Sequence, residues 1–187
     1  LTREERLDWM QQYEEKYRIL KDTPQPSIVD MYSEIDLYPS EQRYEVKGKY
    51  VLFNGYKEPM KKALLGLSKV SEFKNVAIKG ATITEDEYFG QYEVVFDQPL
   101  MPGDSLEMTF RFHSGWSPFI GHVPFNSIVE NGSFMRIDKY FPYFGYDASR
   151  EISNPDTRQE RGLPEYEKEI KKLETDDFDE YRYHFTN

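Results

Sequence analysis

Apolar and polar side chains alternate with period two through Ile35 to Asn54, IDLYPSEQRYEVKGKYVLFN. Ile35 and Leu37 alternate with Glu34, Asp36 and Tyr38. Beyond Pro39-Ser40-Glu41-Gln42 the beat resumes as Tyr44, Val46, Gly48, Tyr50 and Leu52 against Glu45, Lys47 and Lys49. The pattern predicts two half-buried strands joined by a short turn. Proline has no amide proton to give a ladder, which places Pro39 at a strand end. Val29, Met31 and Ser33 carry the inward parity upstream.

Before this strand pair the period changes. Leu7, Met10, Tyr13, Tyr17 and Leu20 recur every three or four residues, a spacing that puts them on one side of a helix. Thr23-Pro24-Gln25-Pro26-Ser27 stops that helix, because each proline pushes its predecessor into extended geometry. After the pair, Asn54 to Pro59 is a loop. Leu64, Leu65 and Leu67 lead into another strand, and Phe73, Val76 and Ile78 mark the next, with Gly80 as a turn or bulge. Tyr88 to Asp97 reads as a strand with Tyr92, Val94 and Phe96 on one side. Gln98 to Asp104 turns the chain into Leu106, Met108, Phe110 and Phe112, the strictest alternation in the sequence. Residues 114–147 lose this regularity but keep many rings. From Asp147 to Glu180 there are twelve acidic and six basic residues, and the ordered candidate there is a helix near Glu165 to Leu173.

Composition sharpens the picture. Aromatic residues are 16% of the 187, with 15 Tyr and 13 Phe, so the core must be built largely from rings, which suits strands. The net charge of −10 repels phosphate backbones and argues against a nucleic-acid partner. The absence of cysteine excludes disulfides, thiolate metal sites and thiol nucleophiles together. No apolar run reaches the roughly 20 residues that span a bilayer. The chain starts at Leu1 without a signal peptide, and the expectation is a segment of a longer protein.

Candidate chemistry is sparse. A zinc peptidase needs two histidines one helical turn apart with a glutamate beside the first, but His113 precedes Ser, His122 precedes Val and His184 precedes Phe. His113-Ser114-Gly115-Trp116-Ser117 lacks the G-x-S-x-G elbow that exposes a nucleophile. The acidic run Glu174 to Tyr181 lacks the glycine and terminal glutamate of a calcium loop and reads as a solvated charge run. Asn131-Gly132-Ser133 fits a glycosylation sequon. The rings at Trp116, Phe119, Phe125, Tyr140, Phe141, Tyr143, Phe144 and Tyr146 are suited to core filling and interdomain packing, or to stacking on sugars.

Three segments, in this order, resemble one family: Ile35 to Asn54, Gln98 to Phe112 (QPLMPGDSLEMTFRF) and Val129 to Asp147 (VENGSFMRIDKYFPYFGYD). Together, across about residues 28–147, they are similar to the N-terminal domain of aminopeptidase N-type zinc metallopeptidases, the gluzincin family. That domain has a strand pair with a small residue in its second strand, a P-G-D/E turn feeding a long strand, and an aromatic-Pro step before the catalytic domain. Tyr-Glu-Val-Lys-Gly, and FPYFGYD in place of the usual FPCFDEP, look more like a divergent bacterial branch whose peptidase-like region follows the membrane helices of an ABC-type permease.

The resemblance implies an all-β, mainly antiparallel, saddle-shaped and sandwich-like domain at 27–147. A helical linker at 1–26 precedes it, and an irregular acidic tail at 148–187 leads toward an absent catalytic domain. It implies no catalysis by this fragment, a zinc aminopeptidase as parent, and zinc held only in the absent domain. The implied partners are that catalytic domain, packed through Trp116, Phe141, Pro142, Tyr143 and Phe144, and the parent's peptide substrate. The membrane would be touched only through absent segments, on the extracytoplasmic face of a bacterial cell. In classical members a short motif ten and eight residues before the aromatic-Pro step helps bind the substrate's free amine. Counting back from Phe141 gives Asn131 and Ser133, with Glu130 adjacent. Ser133 lacks the carboxylate that would pair with an ammonium. The alternative expectation is a free-standing extracytoplasmic β-sandwich that binds glycan or protein through the aromatic surface.

Overall fold

The computed structural model describes residues 2–67, 71–115, 128–129, 132–133 and 141–166. They fall into two compact units, one built from Pro24–Phe144 and the other from Leu1–Thr23 with Gly145–Thr186.

The described strands of the first unit all pair antiparallel. Strands β1 (Ser27–Tyr38), β2 (Arg43–Phe53), β3 (Met60–Gly66), β4 (Ser71–Ile78), β5 (Ala81–Asp86), β6 (Gln91–Leu100), β7 (Ser105–Gly115) and β10 (Tyr143–Phe144) form two four-stranded sheets. Their orders are β1-β2-β7-β4 and β10-β3-β6-β5. The short strands β8 (Ile128–Val129) and β9 (Gly132–Ser133) pair with each other. The sheets bury alternate residues against one another: Tyr44, Val46, Tyr50 and Leu52 of β2 and Met108, Phe110 and Phe112 of β7 face Met60, Ala63 and Leu65 of β3 and Tyr92, Val94 and Phe96 of β6. This is the all-β sandwich that the two-residue period predicts.

Rings supply a large share of the core beside its aliphatic residues. Tyr50 lies 4.7 Å from Phe110, Phe73 meets Tyr92 edge-on at 5.1 Å, and Phe112 meets Phe141 edge-on at 5.8 Å between centroids. Edge-to-face pairs of this kind add about 0.5–1.5 kcal/mol each beyond the area they bury.

The predicted strand pair is β1-β2. Between them Pro39–Glu41 form a 3-10 turn, and Gln42 takes the left-handed conformation (φ 51°) that reverses the chain. The turn before β7 has Pro102 followed by Gly103 at φ 83°, with Asp104 N–H donating to Met101 carbonyl at 3.0 Å. Proline pre-sets the first corner of such a turn and glycine alone enters the second without strain. Asn54, fully buried, fastens this turn to the end of β2. Its side-chain amide donates to the carbonyls of Glu58 and Leu100, both at 2.8 Å, its Oδ1 accepts from Tyr56 N–H at 2.9 Å, and its own carbonyl accepts from Gly103 N–H at 2.8 Å.

Two expectations need correction. The strand placed at Tyr88 to Asp97 begins only at Gln91, because residues 87–90 make the turn from β5, and Tyr88 is exposed. Strand β5 itself, Ala-Thr-Ile-Thr-Glu-Asp, is an element that the sequence reading passed over. Its β-branched alternation of Thr82 and Thr84 with Ile83 was the available signal.

The second unit rests on helix α1 (Arg3–Tyr17). Thr2 caps it: the Thr2 hydroxyl accepts from Glu5 N–H at 3.2 Å, and the Glu5 carboxylate accepts from Thr2 N–H at 2.7 Å. The reciprocal pair satisfies two of the amides that every helix start leaves free. Tyr13 and Tyr17 are buried as the helical spacing predicts, Leu7 and Met10 only partly. Tyr13 stacks on Tyr146 at 5.4 Å and accepts from Asp147 N–H at 3.2 Å.

Residues 148–166, the described start of the tail, contain regular structure that their composition did not suggest. Helix α2 (Pro155–Glu160) starts at Asn154, whose side chain accepts from Thr157 N–H at 2.9 Å, with Pro155 in the first position. It delivers Arg158 into the interior, where the guanidinium donates to both carboxylate oxygens of Glu14, at 2.9 and 2.6 Å, and to the carbonyls of Ile152 and Pro164. Arg161 reaches Glu4 at 2.9 Å and Asp8 at 2.7 Å. The helix expected near Glu165 to Leu173 lies almost wholly outside the described residues.

Candidate functional site

Two places in the β unit could carry function: the outer face of the β1-β2-β7-β4 sheet, and the Phe141-Pro142 step with the strand that follows it.

The outer face follows from the polar parity of its strands. Lys47 and Lys49 of β2 alternate with inward residues, as do Thr109 and Arg111 of β7, and β1 adds Tyr32 and Glu34. These side chains and Asn75 surround an open depression of about 470 Å³. Gly48 and Phe110 also line it. On the inward side of the same strand glycine is required at 48, since a Cβ would lie 2.7 Å from the Phe110 ring and 2.7 Å from the carbonyl oxygen of Tyr32. The small residue in the second strand thus has a steric reason.

Charge on this face is largely paired. Glu45 gathers Arg43 at 3.1 Å, Arg111 at 3.3 Å and Lys74 at 3.5 Å, while Lys49 reaches Glu107 at 3.5 Å and Lys47 reaches Glu34 at 3.9 Å. The hydrogen bond from Arg111, aided by Lys74, holds the Glu45 carboxyl below the usual carboxylate range. Exposed pairs of this kind are screened by water and contribute little to stability.

His113 sits at the far end of β7 with Nε2 3.7 Å from Glu72 and its Nδ1 buried without a hydrogen-bond partner. Neither Ser114, buried in the same strand, nor any other described group makes it part of a nucleophile-base pair. Among the described residues no group of three or more His, Asp or Glu could hold a metal ion. His122 and His184 lie outside the described residues.

Phe141 is buried against Phe112 in the core, and Pro142 is buried beside it. The Pro142 carbonyl accepts the Tyr50 hydroxyl at 3.2 Å, and burial pushes the Tyr50 phenol pKa up. Tyr143 and Phe144 are half-buried and form β10, paired with Gly66 and Leu65 of β3. Gly66 is the counterpart of Gly48, for a Cβ there would fall on the Tyr143 ring. Of the residues proposed for interdomain packing, then, Phe141 and Pro142 already serve this unit's own core, and Tyr143 and Phe144 keep an exposed side. Trp116, Glu130 and Asn131 lie outside the described residues. Ser133 is placed by its backbone in β9, opposite Ile128.

No family model matches this chain, and no curated protein matches it. Solved structures similar to it are M1 zinc metallopeptidases at low sequence identity. A two-domain M1 zinc metallopeptidase variant bound to L-tryptophan is 14% identical with a TM-score of 0.42, covering 56% of this chain and 24% of that one. The M1 zinc metallopeptidase from Deinococcus radiodurans is 14% identical with a TM-score of 0.41, covering 55% and 23%. The matched part is thus under a quarter of each peptidase's length. Among the described residues no helix is long and apolar enough to cross a membrane.

Proposed function

We propose that this chain is the non-catalytic N-terminal β domain of a membrane-associated aminopeptidase-like protein, and that it packs on a zinc catalytic domain to shape one side of the peptide cleft. One observation carries this reading. The three segments that resemble the gluzincin N-terminal domain, far apart in sequence, converge in a single core: Tyr50 from the first contacts Phe110 from the second, and its hydroxyl reaches Pro142 from the third. Asn54 and Gly103 tie the first two together a second time.

On this reading the chemistry resides in the absent domain, where zinc would polarise the peptide carbonyl and activate water. The residues of this chain would exclude solvent and limit the length of peptide admitted. The aromatic-Pro step, locked by Tyr50, would give the outgoing chain a fixed departure point toward that domain, with Tyr143 and Phe144 at its edge. The amine-recognition role of Glu130, Asn131 and Ser133, the membrane-fused parent and the extracytoplasmic location belong to the same proposal.

The coding sequence downstream of Asn187 tests it. An H-E-x-x-H motif with a further glutamate on a following helix is expected, and the protein made from that region should bind this chain when the two are mixed. A parent with no such motif, or one whose zinc domain fails to bind this chain, would overturn the proposal.

A further inference from the structure

Strand β1 is an edge. It pairs with β2 along one side, and among the described residues no strand pairs with its other side. Every second residue of a strand directs its N–H and C=O outward, so an edge of this length is a row of unmet donors and acceptors. A bulge between Ile28 and Asp30 disturbs the start of the edge, but from Asp30 to Tyr38 the register to β2 runs without interruption.

The two faces of this edge differ in chemistry. On the outer face Asp30, Glu34 and Asp36 stand in line with Tyr32. Glu34 has a cation across the ladder in Lys47, but Asp36 lies directly opposite Glu45, and Glu45 spends its charge on Arg43, Lys74 and Arg111. No cation among the described residues pairs with Asp36. Like charges placed directly across a ladder destabilise it, so Asp36 is left with a demand for positive charge on its open side. On the other face Ile35 and Leu37 share the parity of the buried Val46 and Tyr44 opposite them, yet each is 43% exposed. They form an apolar step at the margin of the core.

We propose that the free edge of β1 accepts an extended polypeptide segment of alternating basic and apolar residues. Such a strand would complete the backbone ladder, set Lys or Arg beside Asp30, Glu34 and Asp36 on one face, and set Val, Ile or Leu beside Ile35 and Leu37 on the other. This is strand addition, in which main-chain hydrogen bonds supply affinity and alternate side chains supply specificity. A second copy of this chain is a poor occupant. The antiparallel β1-to-β1 registers that set Ile35 opposite Ile35 or Leu37 of the other copy place Asp36 opposite its Glu34 or its Asp36. The inference goes beyond the proposed function and stands whether or not a catalytic domain is attached.

The probe is an acetylated, amidated peptide of alternating Lys and Val, titrated into the 187-residue chain at about 50 mM salt, where the Debye length still exceeds 10 Å. Saturable one-to-one binding is expected, with slowed hydrogen exchange at the outward amides between Asp30 and Tyr38. The double variant Asp30→Lys with Asp36→Lys should weaken it about tenfold or more. Its fold is checked by an unfolding midpoint that stays level or rises, since Asp36→Lys also faces Glu45. A Glu/Val peptide, and the Lys/Val peptide N-methylated at every amide, should not bind. Equal binding by the N-methylated peptide would reduce the effect to charge adhesion and overturn the proposal. So would protection elsewhere than β1, an absence of saturable binding, or concentration-dependent dimerisation that protects the β1 edge without peptide.

Discussion

The hydroxyl of Tyr50 donates to the carbonyl oxygen of Pro142 across 92 residues of chain, at 3.2 Å, inside the core of the β unit. Tyr50→Phe keeps the ring and removes this bond, leaving a buried carbonyl without its partner. A loss of about 1–2 kcal/mol is expected, measured as a lower urea midpoint with an unchanged slope. A neutral result would mean that Pro142 finds water or another donor.

Gly48→Ala should cost more than a strand glycine normally does. Alanine usually improves a strand, but here its methyl would lie against both Phe110 and the Tyr32 backbone, and only the ring could yield. Overpacking of this sort costs about 1–3 kcal/mol. The check is the same denaturation experiment, alongside the exposed Gly115→Ala, whose nearest contact is an ordinary 3.5 Å to Arg43 and which should change little.

Asn54→Ala removes three hydrogen bonds at once: the carbonyls of Glu58 and Leu100 and the amide of Tyr56 lose partners, while the backbone bonds to Gly103 and Asp104 remain. The expected loss is about 2–4 kcal/mol. Asn54→Asp should be nearly as harmful, because a carboxylate cannot donate to Glu58 and Leu100. Thermal unfolding of the pair of variants distinguishes donation from mere size.

In the helical unit, Arg158→Met strands the buried carboxylates of Glu14 and Glu151, the second of which lies 4.0 Å from the same guanidinium. Breaking one side of such a cluster costs about 3–5 kcal/mol. Adding Glu14→Leu should restore part of the loss, since it removes a charge that no longer has its main partner. Hydrogen exchange at the α1 amides reads this unit directly.

Acid should loosen the same unit. Burial alone would raise the Glu14 carboxyl, but the hydrogen bonds and charges of Arg158 and Arg18 outweigh it and hold the pKa below the ordinary 4.5. A depressed pKa means that the folded state binds the proton less well than the unfolded chain. Its stabilisation is therefore complete above 4.5 and fades as pH falls through the lower folded value. Exchange at α1 should accelerate below about pH 4.5 in the wild type and depend less on pH in Glu14→Gln. Equal acid sensitivity in both would assign the effect to other carboxylates.

Most of the β unit was legible because its signal is local. The beat of Tyr44, Val46, Tyr50 and Leu52, and of Leu106, Met108, Phe110 and Phe112, is set by which side of one strand meets the opposite sheet. Ile35 and Leu37 obey the same beat but are half in solvent, because parity predicts direction and only the neighbouring sheet decides cover. The helical unit was less legible for a different reason. Glu14 and Arg158 look like members of a solvated charge run, and their burial arises from a pairing 144 residues apart that no periodicity encodes. Likewise the sequence leaves Phe141 open between core filling, interdomain packing and sugar stacking until Tyr50 and Phe112 are seen around the Phe141-Pro142 step. Gly48 was visible as the small residue in a strand of large ones, but that the Phe110 ring and the Tyr32 carbonyl fill the space of its side chain was not.

Strand β10 pairs with β3 although about 80 residues separate them in the chain, and only two residues of each take part. A ribosome that has released β1 through β7 has therefore made both sheets without closing the second. Until Tyr143 and Phe144 emerge, Gly66 and Leu65 present a bare edge and the Phe112 ring lacks its Phe141 neighbour. The sandwich is thus sealed by its last strand, and the nascent chain passes through an interval in which it is nearly folded and still open to the wrong strand.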